Sequence, residues 1–233
     1  MHIVSWNMGC SFPGRYRRSH AEAWRYLFGL QPDVVFVQEA LRNAAPAVSL
    51  GTIVWSANRG PESATGVFVR SGAAVTPLGV RARGSYVAAA TVDSSIGPLL
   101  LASVHVGPGD YKENRRVVVQ KLRKLTAGKR FVVGGDVNAA RHWDTVYGGR
   151  THAEFFATLG RCGFHDCHWA QHGREVQSFW GRQAKEAYQC DHIFTDTTTG
   201  EGLIRACAVI DNAEVRALSD HGPLRLEVAI DLR

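Results

Sequence analysis

The chain has 233 residues, 45% of them hydrophobic, with a formal net charge of +6 and a pI of about 9.3. That length and apolar content supply an ample core for one large domain, and no Pro/Ser-rich linker divides it. The five cysteines (Cys10, Cys162, Cys167, Cys190 and Cys207) follow no disulfide framework and suit a reducing cytosol. No apolar run reaches eighteen residues, and the first strand starts almost at Met1, so neither a membrane-spanning helix nor a cleaved leader is expected. The positive balance favours a polyanionic partner, either nucleic acid or an anionic lipid surface.

In chain order, Ile3-Val-Ser-Trp-Asn7 is a short strand ending in an amide. A loop follows with three arginines, Arg15, Arg17 and Arg18. Ser19 and Glu22 form a capping-box pattern, which predicts a helix with Trp24, Leu27 and Phe28 inward. Val34-Val-Phe-Val37 reads as a strand buried on both faces, and the charged Glu39 after it belongs at a rim rather than in a core. Residues 52–105 alternate short apolar runs with Gly and Pro, which predicts antiparallel strands at Thr52–Ala57, Thr65–Val69, Ala74–Leu78, Tyr86–Val92 and Leu99–His105.

Asp110 with Glu113 caps a helix whose inner positions are Val118, Leu122 and Leu125. Its remaining surface is basic, with Lys112, Arg115, Arg116, Lys121, Arg123 and Lys124. Phe131-Val-Val-Gly-Gly-Asp-Val-Asn138 is a buried strand that places Asp136 and Asn138 on one side, and its two glycines leave room for a bulky neighbour. Thr151 with Glu154 suggests a third capping box, with Phe155, Phe156 and Leu159 inward. The Cys/His stretch at 162–172 lacks the paired spacing of a structural zinc site. Further strands are expected at Gln177–Trp180, Gln189–Phe194 and Glu201–Ile210. Leu218-Ser-Asp-His-Gly-Pro223 then precedes a last strand, Leu224–Ile230.

A pattern emerges from this pass. Four apolar strands each deliver one polar group at the C-terminal end: Asn7, Glu39, His105 and Asp136. That is where open α/β folds place their ligands. Asp191, Asp220 and His221 add to the set. Carboxylates with amides and no Cys/His ligand set describe a hard oxygen site suited to Mg²⁺ or Mn²⁺. A His beside an Asp is a device for fixing the ring tautomer and raising its pKa.

Taken together, Ser5-Trp-Asn7, Pro32-Asp-Val-Val-Phe-Val-Gln-Glu39, Val104-His105, Gly134-Gly-Asp-Val-Asn138, Asp191-His-Ile193 and Ser219-Asp-His221 resemble the motifs of the endonuclease/exonuclease/phosphatase superfamily. They occur in the family order and span most of the chain. The resemblance implies an α/β (α+β) fold, a four-layer αββα sandwich of two mixed sheets flanked by helices, formed by residues 1–233 as a single catalytic domain. It implies Glu39 as the main metal ligand, with Asn7 beside it and Asp220 assisting metal or water. Asp136 would orient or deprotonate the attacking water, and Asn138 would hold Asp136 or a substrate phosphate. His221 would bind the scissile phosphate with Asp191 as its partner, and His105 would contact the phosphate or the leaving group. Two departures, His105 where abasic-site endonucleases usually carry Tyr and Gly9 where they often carry Asp, point away from that branch.

The leading expectation is a Mg²⁺-dependent phosphodiesterase acting on DNA or RNA, with Arg15, Arg17, Arg18 and the helix residue Arg115 as candidate substrate contacts. A phosphatase or phosphodiesterase acting on a lipid, inositol phosphate or other small ester is the alternative, and a catalytically dead binding scaffold is a third. A cytoplasmic monomer without an obligate protein partner completes the expectation.

Overall fold

The computed structural model describes residues 1–9, 20–45, 50–56, 63–181 and 188–233. The first helix-bearing crossover is β1 (His2–Asn7), α1 (His20–Gly29) and β2 (Val34–Leu41). Then come β3 (Gly51–Trp55), β4 (Ser63–Arg70), β5 (Val75–Leu78), β6 (Ser85–Val92) and β7 (Leu99–Val106). The second crossover runs through α2 (Tyr111–Thr126) to β8 (Arg130–Asp136). After it lie α3 (Arg141–Tyr147), α4 (Thr151–Arg161), β9 (Phe164–Asp166), α5 (Cys167–His172), β10 (Asp191–Asp196), α6 (Thr197–Gly202), β11 (Ile204–Val209), α7 (Ala213–Leu218) and β12 (Leu224–Val228).

Two six-stranded mixed sheets result, ordered β11-β12-β1-β2-β4-β3 and β5-β6-β7-β8-β10-β9. Each contains one parallel pair at its centre, β1 with β2 and β7 with β8, joined by a helical crossover. Every other strand pair is antiparallel. The two sheets therefore repeat one pattern.

Side-chain alternation sorts the apolar residues into three layers. Ile3, Phe36, Val67, Leu101, Val132 and Ile193 fill the space between the sheets. Val4, Trp6, Val35 and Val37 face outward onto Trp24 and Leu27 of α1 and onto Val215 and Leu218 of α7. Leu100, Val104, Phe131 and Val133 face outward onto Val118 and Leu122 of α2 and onto Phe155, Phe156 and Leu159 of α4. This is the αββα sandwich. A full side chain such as Phe36 contributes roughly 1.5–3 kcal/mol by burial.

Gly134 shows why the strand carries glycine: a Cβ there would lie 2.4 Å from the Phe36 ring of the facing sheet. Gly135 has φ +151°, and its Cβ would meet the Val104 carbonyl at 1.8 Å. Gln38 and Ser103 tie the sheets together just below the strand ends. Gln38 donates to Ser103 Oγ at 2.9 Å, and Ser103 donates to the Val37 carbonyl at 3.0 Å.

The elements differ from the sequence expectation in instructive places. The second strand does not stop at Val37 but runs to Leu41 through a bulge between Val37 and Ala40. Thr151 is the first helical residue rather than the cap. The amides of His152 and Ala153 instead donate to the Asp144 carboxylate, at 3.2 and 2.7 Å. Gln177–Trp180 is not a strand, and only Phe179 makes isolated bridges, to Tyr188 and His221. Part of Glu201–Ile210 is helical, in α6. Ser19 and the arginine-rich loop, Arg15, Arg17 and Arg18 included, lie outside the described residues.

The Cys/His stretch is built around a buried ion network. Asp166 accepts from Arg141 at 2.9 Å and pairs with His192 Nδ1 at 3.1 Å. Arg141 is sandwiched between Phe156 and Trp169. Burial alone would raise the Asp166 pKa, but His192 and Arg141 outweigh it and hold the carboxyl below its usual range. Burial likewise opposes charge on His192, and Asp166 reverses that and raises its pKa above 6.5. Asp166 therefore contributes stability above its unfolded pKa of 3.8. His192 contributes below 6.5 and loses that contribution as pH rises through its folded pKa. Asp166→Asn should cost about 3–5 kcal/mol by stranding the buried His192 and removing the nearer of two carboxylate partners of Arg141. It should also abolish the fall in stability above 6.5 and make stability rise with pH toward 6.5 instead, because His192 would then be buried neutral. Denaturant melts between pH 5 and 8 (about that range, set by the His reference pKa) read both effects.

Candidate active site

The parallel strands β1 and β2 end beside β7 and β8 of the facing sheet, and their last residues meet. Asp136, the final residue of β8, is 2% exposed. Its Oδ2 accepts from Asn7 Nδ2 at 2.9 Å across the gap between sheets and lies 3.4 Å from Asn138 Nδ2. Its Oδ1 accepts from the Asn138 amide at 2.8 Å. Two imidazoles approach the same Oδ2 without bonding it, His105 Nε2 and His221 Nε2, each at 3.9 Å. Burial is the main influence on Asp136 and raises its pKa, and His221 and His105 oppose it.

Glu39 sits in the β2 bulge with φ +50°, a left-handed conformation that costs a non-glycine residue energy. The bulge re-aims the side chain into the cavity. Its Oε1 is 3.5 Å from His105 Nε2 and 3.4 Å from Asn7 Nδ2. Asn138 also has a positive φ, +48°. Its side chain donates to the Val106 carbonyl at 2.8 Å, and its own carbonyl accepts from Arg115 at 2.6 Å.

The third group comes from β10 and from the turn before β12, both antiparallel strands whose starts lie at this same end. Asp191 is 0% exposed. Its Oδ2 pairs with His221 Nδ1 at 2.9 Å and accepts from Ser178 Oγ at 2.7 Å. Ser178 in turn accepts from the Cys190 and Asp191 amides. Burial would lower the His221 pKa, but Asp191, Asp136 and Asp220 together push it up to about 10. The ring is thus an imidazolium at neutral pH, with Nε2 facing the cavity.

Trp6 Nε1 donates to the His221 carbonyl, and Ser219 Oγ donates to the Asn7 carbonyl while accepting from the His221 amide. These bonds lock the turn to β1. The cavity, about 390 Å³, is lined by Glu39, His105, Asp136, Asn138 and His221, with Tyr86, Tyr111 and Phe179 as aromatic walls. Tyr86 stacks on His105, and Phe179 packs on His221.

So Asn7, Glu39, His105, Asp136, Asn138, Asp191 and His221 converge at one end of the sandwich, while Asp220 is buried beside them, acts on the His221 charge and does not line the cavity. Arg115 does not join them on the open side. It is 6% exposed and braces the Asn138 loop from behind, with its guanidinium near the Phe155 ring. Ser178, Ser219 and Trp6 are functional positions that reading for ionisable residues passes over. Trp6 and Ser219 lie within the family-like motifs, whereas Ser178 lies in the Gln177–Trp180 segment outside them.

A divalent cation fits this donor set in one place. Ligand-capable atoms of Asp136, Asp191 and His221 lie within 4.8 Å of one another. That triangle is a poor cage, because Asp191 is already committed to His221 and Ser178, and His221 is cationic. The Glu39 carboxylate, which lines the cavity and is held out into it by the bulge, fits a hard cation better. Asn7 presents Nδ2 to the carboxylates, while its Oδ1 accepts from the Gly9 amide at 3.0 Å. An oxygen-ligand role for Asn7 would require that amide to turn over.

The class follows from fold and site together: an αββα sandwich with carboxylates and imidazoles gathered where its two sheets end. The chain belongs to the Endonuclease/Exonuclease/phosphatase family, whose model matches residues 4–221. At the level of sequence, no curated protein matches it. Solved structures share the fold. D. rerio TDP2 complexed with single-strand DNA product aligns at 21% identity over 98% of each chain, TM-score 0.72. The Xenopus laevis APE2 catalytic domain aligns at 14% identity over 100% of this chain and 93% of that one, TM-score 0.74. The 3'-5' exonuclease NExo from Neisseria meningitidis aligns at 19% identity over 98% and 99%, TM-score 0.69.

Asp191→Asn removes the main influence that raises the His221 pKa and leaves burial opposed only by the Asp136 and Asp220 charges. The ring should then titrate well below its present value of about 10. A pH titration of the His221 ring protons by NMR measures this directly, and an unchanged high pKa would remove Asp191 from the role.

Proposed function

We infer that this protein is a Mg²⁺-dependent phosphodiesterase acting on nucleic acid, with Mn²⁺ as a substitute ion. One observation carries the reading: Asp136 and the imidazolium His221 face one cavity 3.9 Å apart, too far to satisfy each other and spaced to admit a substrate oxygen between them. The family's phosphoester chemistry, the +6 charge and the DNA product named for the D. rerio TDP2 structure support a nucleic-acid substrate.

Glu39 would hold the cation, with Asp220 and, once its amide has turned over, Asn7 assisting. When bound, it supplies Lewis-acid stabilisation of charge on a phosphate oxygen. The chain's own residues do the rest. Asp136, kept in place by Asn7 and Asn138, orients the attacking water and accepts its proton. Its raised pKa makes it a better base than an exposed carboxylate. His221 donates from Nε2 to a non-bridging phosphate oxygen as negative charge builds, and Asp191 keeps the ring charged and oriented. His105, stacked on Tyr86, is placed to donate to phosphate or leaving group. Tyr86, Tyr111 and Phe179 narrow the cavity. A single domain acting as a monomer suffices for this mechanism, because every group it uses comes from one chain.

The test is metal-supported hydrolysis across duplex, single-strand and abasic DNA, RNA, sphingomyelin and inositol phosphates. Cleavage of oligonucleotides with a binding constant that falls steeply with salt, about 0.7–0.9 log units per phosphate contact per log unit of salt, is expected. Hydrolysis confined to inositol phosphates or sphingomyelin would replace the nucleic-acid reading. Asp136→Asn should lower kcat by about 10²–10⁴-fold. Glu39→Gln should raise the Mg²⁺ concentration needed for half-maximal rate, whereas an unchanged metal requirement would remove Glu39 from the metal.

A further inference from the structure

A groove outside the site runs along the helical layer of the second sheet, between α2 and α4. Two cavities form it, of about 440 and 860 Å³, and they adjoin, with Arg123, Thr158 and Cys162 as shared walls. The nearer begins at Asp110 and Lys112, on either side of Tyr111, which lines the site cavity. Arg115 lines the groove, and its guanidinium also holds the Asn138 carbonyl of the site loop. The farther cavity ends beyond the C-terminus of α2, at Lys129 and Arg130. The helix has 16 residues, so the path is roughly 24 Å long at ~1.5 Å per residue.

Charge decides what such a groove takes. Seven cationic side chains line it against four carboxylates, a surplus equal to half of the whole chain's +6. Two of those carboxylates are engaged by groove arginines, Glu113 by Arg116 at 2.6 Å and Asp196 by Arg130 at 3.5 Å. Among the described residues, Lys112, Arg123, Lys129 and Arg161 have no ion-pair partner, and all four are exposed. Arg161 touches only the Thr158 hydroxyl, and Lys129 the Leu125 carbonyl. A solvated helix face would show one element's charges on a convex surface. Here Arg123 from α2, Arg161 from α4 and Lys129 from the turn before β8 converge on one concavity, where low-dielectric walls concentrate the field. A positively charged groove that tracks one backbone is the usual seat of a single strand.

We propose that the α2–α4 groove is a track for the single-stranded tail of a nucleic-acid substrate whose scissile phosphate occupies the site cavity. The inference rests on the phosphodiesterase reading and extends it to a substrate class: strands with an overhang long enough to leave the site past Tyr111. The track does no chemistry. It lowers KM for tailed substrates and leaves kcat unchanged.

Steady-state kinetics on oligonucleotides sharing one cleavage site, with no tail, a short tail and a tail long enough to reach Lys129, test this. For the wild-type protein, KM should fall as the tail lengthens. The Arg123→Ala/Arg161→Ala double variant should lose about tenfold in affinity for the long-tailed substrate near physiological salt, and its log–log salt slope should be shallower by about 1.4, two phosphate contacts at ~0.7 each. Its kinetics on the untailed substrate should not change. The Arg123→Lys/Arg161→Lys variant should keep the tail advantage and report that the fold is intact. A wild-type KM independent of tail length overturns the track while leaving the proposed function standing, as does an equal loss on tailed and untailed substrates. Failure of the wild-type protein to cleave any oligonucleotide overturns the function, and the track with it.

Discussion

Asp136 sits almost without solvent at the seam between two sheets, and much of the molecule's architecture can be understood as what that requires. A buried carboxylate is tolerated only when hydrogen bonds and countercharges replace water. The bonds come from Asn7 at the end of β1 and from the Asn138 amide. The countercharge comes from His221, held by Asp191 on β10. Those groups belong to both sheets, so the sandwich must close before Asp136 is satisfied. The Gly134 backbone, against which the Phe36 ring lies, lets the sheets approach closely enough for the Asn7 bond to form. Stability and chemistry therefore depend on the same few ångströms.

The second layer of hydroxyls makes the arrangement rigid. Ser178 donates to one Asp191 oxygen and accepts from two backbone amides, Ser219 joins the β1 carbonyl to the His221 amide, and Gln38 with Ser103 bridges the sheets below. Preorganised donors in a low-dielectric pocket need no reorientation as charge develops, which is the main source of catalytic stabilisation in such sites. Arg115 belongs to this scaffold. Though it looks from its helical neighbours like one more surface cation, helical phase turns it inward onto the Asn138 loop.

Much of this was legible in the sequence, for identifiable reasons. Strongly apolar strands with a polar last residue are conspicuous, and Asn7, His105 and Asp136 stand at or next to strand ends as expected. Helices α1, α2 and α4 show their apolar faces at the predicted positions. The misses share a cause: tertiary partners overrode local pattern. Glu39 looks like a residue beyond its strand because a bulge has no local signature, only a partner strand one residue out of step. The Thr151 capping box lost to Asp144, which reaches the same amides from the preceding helix. The short helices α3, α5, α6 and α7 are too brief for periodicity to register.

The repeated sheet pattern gives a last step. One half supplies Asn7 and Glu39 through β1-α1-β2, and the other supplies His105 and Asp136 through β7-α2-β8, so Glu39 and Asp136 occupy equivalent places at the ends of equivalent strands. Their environments have diverged. Asp136 is short, sealed in and held by three donors, with its pKa raised by burial. Glu39 is one methylene longer and held out into the cavity by a left-handed backbone. The first environment favours proton exchange with a fixed water, and the second favours a charge available to a hard cation. Two carboxylates related by one fold pattern thus acquire separate tasks from local backbone geometry alone. The crossover helices have diverged in the same way: α1 carries its partner sheet without a basic face, whereas α2 bears the cations that line the groove leading away from the site.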